Sequence, residues 1–300
     1  MSNVLEISGL CKRFGSKEVL RGVNLSVPDN CVFGFVGRNG AGKTTTMKAI
    51  IGLLKPNDGE IAVCGEKVSY GGAKTNRFIG YLPDVPEFYG YMTAAEYLSL
   101  CGRIAEMKPA DIRQRSDELL ELVGLSGEKH RIKGYSRGMK QRLGIAQALI
   151  NRPKLLICDE PTSALDPVGR REILDILKDA GKQTSVFFST HILSDVESIC
   201  DRVAFLEGGR IALCGSMEEI RQKRSDTAVE VLPEDPAHAA LLAERFPAGE
   251  LQEGRFLLKN ASADDAEALM GFLLEQHISV LRFERKEPSL ENMFLEVVGE

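Results

Sequence analysis

The chain has 300 residues, of which 43% are hydrophobic and 27% are charged, with a net charge of −5. This composition excludes disordered and fibrous proteins, and the length predicts about two domains. The sequence has no apolar run of the ~18 residues that a spanning helix needs, and its start lacks the basic flank and apolar run of a signal peptide. We therefore expect a cytosolic chain whose role at a membrane depends on a partner.

The charge is unevenly distributed along the chain. Residues 226–300 contain 16 acidic and 6 basic residues, a balance of −10, so the rest of the chain carries +5. This asymmetry predicts a basic nucleotide-handling part and an acidic appendage. No pattern of a DNA- or RNA-binding module accompanies the basic part, so we expect no nucleic-acid partner. The 7 cysteines show no metal-ligand spacing, which predicts small core residues in a reducing compartment.

The elements predicted in chain order alternate between strands and helices. β-Branched and aliphatic patterns predict strands at 3–7, 19–27 and 60–64. Continuous apolar runs predict strands buried on both faces at 31–37, 155–158 and 185–189. Helices are predicted from Lys43 to about Leu54 and at 136–151, 167–180 and 192–200. This alternation predicts an α/β core with a mainly parallel sheet.

Two further regions are predicted outside this core. A mostly helical insertion at about 93–151 has apolar residues at helical spacing and is expected on the side of the core. After residue 224 a small α+β domain, 225–300, is predicted, with Ser225–Asp226 as the junction. Its predicted strands are 227–232, 254–259, 278–285 and a short one near 250, and its predicted helices are 237–246, 263–275 and Leu290 to Val297.

A glycine-rich loop carries the most specific motif. Gly37-Arg-Asn-Gly-Ala-Gly-Lys43-Thr44 fits G-x-x-x-x-G-K-[ST] between a buried strand and a helix, which is the context the motif requires. Its N–H groups and the positive helix start are suited to phosphates. Lys43 is placed for the β- and γ-phosphates, Thr44 for Mg²⁺ and Thr45 for the α-phosphate; the alternative is a glycine-rich turn with a surface lysine. The candidate nucleotide-binding residues here are Gly37, Arg38, Asn39, Gly40, Ala41, Gly42, Lys43, Thr44 and Thr45.

Two further segments carry candidate site residues. Asp159 and Glu160 directly follow the apolar run at 155–158. Asp159 suits a water-mediated Mg²⁺ contact, and Glu160 suits the orientation and deprotonation of an attacking water; the alternative is an acidic helix start. Ser136 and Gly138 open the helix at 136–151, either as an anion site or as an ordinary capped helix.

Taken in this order, the motifs resemble those of the nucleotide-binding subunits of ATP-binding cassette (ABC) transporters, over residues 4–222. The resemblance implies a P-loop NTPase core with an antiparallel β subdomain and a helical insertion. Ser136 and Gly138 match the signature motif, Leu-Ser-Gly-Gly-Gln in its usual form, and residues 163–166 match the loop across the dimer interface. By the same resemblance, His191 is the switch histidine at the γ-phosphate, and Phe14 is the aromatic that stacks on adenine.

Three positions depart from the family pattern. Asp84 stands where the family has Gln, Arg137 replaces a signature Gly, and Met139 replaces the signature Gln. Asp84 can approach Mg²⁺ or the water, but it is shorter than Gln and adds negative charge. The changes resemble variation tolerated in bacterial exporter-type subunits, so we expect a working site.

Two other segments have expected roles through the resemblance. The aromatic residues at 88–91 follow Asp84, where the family docks the coupling helix of its membrane subunit; the alternative is packing under the helical insertion. The ending at 287–295 resembles the C-terminal extension of bacterial efflux-type subunits and is expected to be regulatory or interfacial.

The resemblance implies an ATPase, with ATP and Mg²⁺ as cofactors, that powers a membrane transporter of exporter type. It is expected at the cytoplasmic face of the cell membrane, bound through a transmembrane permease subunit. Two copies, or one copy and a paralogue, would face head to tail, so that Ser136 and Gly138 of one cover ATP on Lys43 and Thr44 of the other.

Two alternatives are a non-transport ABC ATPase acting on ribosomes or DNA and a nucleotide-responsive sensor with little turnover. Proteins of the first kind usually carry two cassettes in one chain or a very long coiled coil before the signature. This chain has one cassette, and the 99 residues from Gly37 to Ser136 are too few for such an arm. The second is suggested by Asp84 and the altered signature.

Overall fold

The computed structural model describes residues 2–222, 228–252, 254–259 and 261–286. It divides into two compact units, Met1–Met217 and Glu218–Glu300. The junction predicted at residues 225–226 and the helix predicted from Leu290 to Val297 lie outside the described residues.

The first unit contains most of the regular structure. Its strands are β1 (Asn3–Phe14), β2 (Lys17–Pro28), β3 (Val32–Val36), β4 (Asp58–Val63), β5 (Glu66–Lys67), β6 (Ile79–Leu82), β7 (Leu155–Cys158), β8 (Ser185–Thr190), β9 (Arg202–Glu207) and β10 (Arg210–Ser216). Its helices are α1 (Lys43–Ile50), α2 (Ala94–Ile104), α3 (Pro109–Leu122), α4 (Arg137–Leu149), α5 (Pro167–Ala180) and α6 (Leu193–Ile199), and α7 (Met217–Gln222) begins at its last residue.

A six-stranded sheet in the order β10-β9-β3-β8-β7-β6 forms the centre of this unit. Neighbouring strands of this sheet pair in parallel, except β9 and β10, which pair antiparallel. Strands β3, β7 and β8 are buried along their whole length. This is the predicted α/β core. Because parallel strands end at one edge of a sheet, the segments after β3, β6, β7 and β8 lie together there.

A four-stranded antiparallel sheet, β2-β1-β4-β5, shares a hydrophobic core with the central sheet and α1. The ring of Phe187 lies 5.2 Å from that of Phe35 and 5.9 Å from that of Phe33, so aromatic side chains fill the space between the layers. Met47 and Ile50 of α1 are fully buried in the same cluster. This packing fixes the direction in which α1 leaves the loop at residues 37–42.

Several elements differ from those predicted. β1 runs to Phe14 rather than residue 7, because a shift of register between Ile7 and Leu10 carries the strand past Gly9. α1 ends at Ile50 rather than Leu54, since Gly52 has a left-handed φ of +74° that ends the helical path. β6 was not predicted, and neither was the β9–β10 hairpin.

The helical insertion consists of α2, α3 and α4. The Thr93 hydroxyl accepts a hydrogen bond from the Glu96 N–H, and the Glu96 carboxylate accepts one from the Thr93 N–H, so α2 begins with a capping box. α4 lies directly on β6: a β-carbon at Gly80 would be 2.1 Å from the carbonyl oxygen of Ala148. Only glycine permits this approach, which ties α4 to the central sheet.

The second unit is a small α+β domain. Its elements are β11 (Ala228–Pro233), α8 (Ala237–Arg245), β12 (Gly249–Gln252), β13 (Arg255–Leu258), α9 (Ala263–Glu275) and β14 (Val280–Lys286). The four strands form an antiparallel sheet in the order β12-β13-β11-β14. Val231, Phe256 and Leu269 are fully buried in its own hydrophobic cluster. Within the described residues of both units, no helix combines the length and the apolar character needed to cross a membrane.

Candidate functional site

A cavity of about 320 Å³ opens where the parallel strands end. It is lined by Val19, Asn39, Gly40, Gly42, Lys43, Thr44, Thr45, Asp84 and Glu160. The loop after β3 therefore meets the segments after β6 and β7 at one site, as the order of the strands requires.

The glycines of the loop bring its backbone close to the surrounding strands. Gly42 has φ +114°, and a β-carbon there would lie 2.7 Å from Cδ2 of Leu20. A β-carbon at Gly37 would lie 2.6 Å from the carbonyl oxygen of Leu206 in β9. The loop thus needs glycine at both ends. After Gly42 it leads into the N-terminus of α1, whose N–H groups face outward for an anion.

The ammonium group of Lys43 is buried within this loop. The residue is 5% exposed, and Nζ donates to the carbonyl oxygens of Gly37 at 2.6 Å and Arg38 at 3.3 Å. Nζ also lies 3.0 Å from Oε1 of Glu160. A lysine held in this way by loop carbonyls is a fixed positive charge at the wall of the cavity, not the surface lysine of the alternative interpretation.

Glu160 links the loop to His191. Its Oε2 lies 2.9 Å from Nδ1 of His191, and its Oε1 lies 3.0 Å from Nζ of Lys43. Glu160 has a left-handed φ of 48°, a conformation that costs a non-glycine residue energy and is often found at functional sites. The carboxylate is therefore held between a cation and an imidazole with acceptor capacity to spare.

Ser189, which was not predicted as a site residue, holds both acids in place. Its hydroxyl donates to Oδ1 of Asp159 at 2.7 Å and accepts from the N–H of Glu160 at 3.0 Å. Ser189 and Asp159 are buried. The available signal was a hydroxyl residue that ends the apolar run at 185–189, because a buried polar group must find a partner.

Asp84 is the third acid at this edge. Burial raises the pKa of its carboxyl group; the nearby Arg137 guanidinium acts in the opposite direction, and the negative charges of Asp159 and Glu160 raise the pKa further. Nη2 of Arg137 lies 3.7 Å from Oδ1 of Asp84. The three carboxylates thus share one electrostatic environment.

The oxygen groups at this edge fit a magnesium ion. Thr44 and Asp84 line the cavity. The buried Asp159 directly follows β7 and precedes Glu160, which also lines the cavity. Among the described residues there is no cluster of three or more His, Cys, Asp or Glu side chains that would hold a metal alone. Mg²⁺ prefers oxygen ligands, takes one or two carboxylates and completes its shell with water and phosphate, so the donors present suit it.

Gln141, also not predicted, connects α4 to the acids. It is fully buried, and its Nε2 donates to the carbonyl oxygens of Asp84 at 3.1 Å and Pro161 at 3.2 Å. The helix that begins with the signature residues is therefore fastened to the residue after Glu160 and to Asp84.

The remaining predicted residues lie away from the cavity. Ser136 caps α4 by accepting a hydrogen bond from the N–H of Met139 at 3.2 Å, and Gly138 lies in the first turn of that helix. Phe14 is 51% exposed at the end of β1, with Nζ of Lys12 5.0 Å from its ring centre. None of these three residues is among the described residues that line the cavity.

The aromatic segment contains one residue packed against the helical insertion and two exposed tyrosines. Phe88 packs edge-on against Tyr97 of α2 at 5.1 Å, whereas Tyr89 and Tyr91 are more than half exposed. A groove of about 480 Å³ lies beside them. Its lining is Asp84, Val85, Pro86, Glu87, Phe88, Gly90, Ile132, Lys133, Arg137 and Lys140.

Comparison with known proteins places the sequence among transporter components. The family described as "ABC transporter" matches residues 20–163, and that described as "ATP-binding protein DrrA1-3-like, C-terminal domain" matches residues 215–298. The Bacillus subtilis ABC transporter ATP-binding protein YxlF is 39% identical over 98% of this chain and 99% of its own. The bacitracin transport ATP-binding protein BcrA of Bacillus licheniformis is 35% identical over 100% of this chain and 98% of its own.

A solved ATP-binding subunit of an ABC transporter is 32% identical, with a TM-score of 0.66 over 73% of this chain and 92% of its own. These matches confirm the resemblance and the fold that the motifs predict.

Proposed function

The chain belongs to the ATP-binding proteins of ABC transporters, subunits that hydrolyse ATP to power transport, and we propose that its ATP site is the cavity at Lys43 and Glu160. The observation that carries this assignment is one continuous set of contacts. Nζ of Lys43 lies 3.0 Å from Glu160, and Glu160 lies 2.9 Å from His191. A phosphate-binding cation, a base and a second polar group thus meet at the carboxyl edge of the sheet.

In this proposal the loop at residues 37–45 binds the triphosphate. The N–H groups at the start of α1 and the Lys43 ammonium bind its β- and γ-phosphates, because both present positive charge to the cavity. Phe14, exposed at the end of β1, supplies the adenine-stacking ring.

Glu160 orients the attacking water and accepts its proton, and His191 contacts the γ-phosphate. Phosphoryl transfer depends mainly on positioning and charge stabilisation, and Ser189 holds the backbone N–H of Glu160 and the carboxylate of Asp159 in one arrangement. Thr44, Asp159 and Asp84 hold Mg²⁺. When bound, this ion neutralises charge on the phosphate oxygens.

Ser136 and Gly138 act on a second copy of the chain, or on a paralogue. They lie outside the cavity of their own chain but open a helix whose first N–H groups suit an anion. Head-to-tail pairing lets them cover the nucleotide bound to Lys43 of the partner.

We assign the membrane partner to the groove beside Tyr89 and Tyr91. Exposed tyrosines are typical of interfaces, and the groove borders Asp84, so a transmembrane subunit seated there is next to the ATP site. The bacitracin transport relative supports a role in transport, and we propose an exporter whose ATP-binding subunit lies at the cytoplasmic face of the membrane. The relatives reported above are ABC transporter proteins, so a ribosomal, DNA-linked or purely sensory role is not favoured.

The test is Glu160→Gln, which keeps the shape of the side chain and removes its basicity. We expect this variant to bind ATP and Mg²⁺ and accumulate as a dimer in size-exclusion chromatography, because the closed pair can no longer hydrolyse its nucleotide. Glu121→Gln, the same change on the exposed side of α3, is the control and should behave like the parent. A Glu160→Gln chain that elutes as a monomer with ATP and Mg²⁺ contradicts the head-to-tail mechanism.

A further inference from the structure

Two of the positions that depart from the family pattern contact each other. Nη2 of Arg137 lies 3.7 Å from Oδ1 of Asp84, and both side chains are 47% exposed. Ion pairs this exposed add little to stability. Stability alone therefore does not explain why an acid and a base stand at these positions.

Each charge of this pair is unfavourable without the other. Arg137 is the first residue of α4, where a cation opposes the positive end of the helix dipole, and the first turn of α4 contains no acid. Asp84 lines the same cavity as Glu160, so its carboxylate stands near another negative charge. Bringing the two together offsets both costs.

The backbone reinforces the same connection. Gln141, one turn after Arg137, donates to the carbonyl oxygens of Asp84 and Pro161. Asp84 lines both the cavity at Lys43 and the groove beside Tyr89 and Tyr91. A movement of Asp84 at the ATP cavity therefore acts on the first turn of α4 through a side-chain contact and a main-chain contact.

We propose that Asp84 and Arg137 form a positioning pair that ties the start of α4, with Ser136 and Gly138, to the ATP cavity of the same chain. The two residues together set the orientation of Ser136 and Gly138 toward the second copy, and neither residue does so alone. This inference rests on the proposed function, since it concerns how Ser136 and Gly138 cover the partner's nucleotide.

A double-mutant cycle tests the pair in the full chain carrying Glu160→Gln. The variants are Asp84→Asn, Arg137→Gln and both together, and the readout is the ATP concentration at half-maximal dimer formation, measured by light scattering with Mg²⁺. We expect each single change to raise that concentration about fivefold and the double change to raise it no further, since coupled residues are not additive.

The same helix supplies a matched control. Nη1 of Arg142 on α4 lies 3.7 Å from Oε2 of Glu172, the same separation, and neither residue lines the cavity or the groove. Glu172→Gln should leave dimer formation unchanged. Multiplicative losses in the cycle, no loss from Arg137→Gln, or an equal loss from Glu172→Gln would each overturn the proposal. If the Glu160→Gln chain without changes at residues 84 and 137 stays monomeric, the proposed function itself is overturned, and this inference with it.

Discussion

At the scale of single residues, the site depends on a serine that no motif marks. Ser189→Ala removes the donor to the buried Asp159 carboxylate and the acceptor for the partly buried N–H of Glu160. Leaving buried polar groups unpaired costs about 1–3 kcal/mol of unfolding free energy. We expect the ATPase turnover of Ser189→Ala to fall more than its ATP affinity, because the hydroxyl holds the acids and not the phosphates.

Ser185 on the same strand is the matched control. It is also buried, and its hydroxyl accepts a hydrogen bond from the N–H of Asn30 at the other end of β8. Ser185→Ala should lower the unfolding free energy in urea without changing turnover. Equal turnover losses in the two variants would mean that Ser189 acts only through the stability of β8.

The sequence predicts candidate residues whose proposed function would fix their type, but not the residues that act through geometry. The loop at 37–44 is specific because phosphate binding requires glycine, lysine and a hydroxyl residue at set spacing. Ser189 and Gln141 are ordinary polar residues whose importance comes from long-range contacts. Ser189 contacts Asp159, 30 positions away in the chain, and Gln141 contacts Asp84, 57 positions away. The local pattern shows a hydroxyl residue at the end of a buried run, but it does not show which distant residues that hydroxyl contacts.

At the scale of elements, the same contrast holds. Buried strands β3, β7 and β8 were predicted because continuous apolar runs mark strands covered on both faces. β6 was missed because it has four residues, one of them Gly80, and glycine there reflects the approach of α4 and not a local preference. The β9–β10 hairpin had a usable signal in the sequence, which is the pair Gly208 and Gly209 between two aliphatic segments. In the structure both glycines adopt positive φ.

A buried network joins the segment after Glu160 to α5 and α6. The Thr162 hydroxyl donates to Oδ2 of Asp195 at 2.7 Å, and Nε of Arg170 donates to Oδ1 of the same carboxylate at 2.5 Å. Thr162→Val keeps the shape but removes the donor to a buried charge, so we expect a loss of about 2 kcal/mol in unfolding free energy and a lower ATPase turnover. Urea unfolding and steady-state kinetics measure the two effects.

Thr162→Ser separates the hydroxyl from the methyl group. Serine keeps the donor to Asp195, so its turnover should stay near that of the parent, while its stability falls only by the lost methyl contact. If the serine variant is as impaired as the valine variant, packing of the methyl group, and not the network, positions this segment.

At the scale of the whole molecule, the arrangement of the site predicts that each chain provides two different halves. Lys43 lines the cavity, whereas Ser136 lies outside it at the start of α4. In a head-to-tail dimer a chain with Lys43→Met and a chain with Ser136→Asp should complement each other. Asp retains the helix cap but repels phosphate, so each variant alone has no intact site.

Mixing the two variants in equal amounts should therefore restore about a quarter of the parental turnover, because about half of the dimers are mixed and each has one intact site of two. The control replaces the second chain by one that carries both changes, which leaves every dimer without an intact site. Recovery in the first mixture and none in the control supports exchange of halves between chains. If neither mixture recovers, Ser136 serves the nucleotide of its own chain, and the two halves of the site come from one copy.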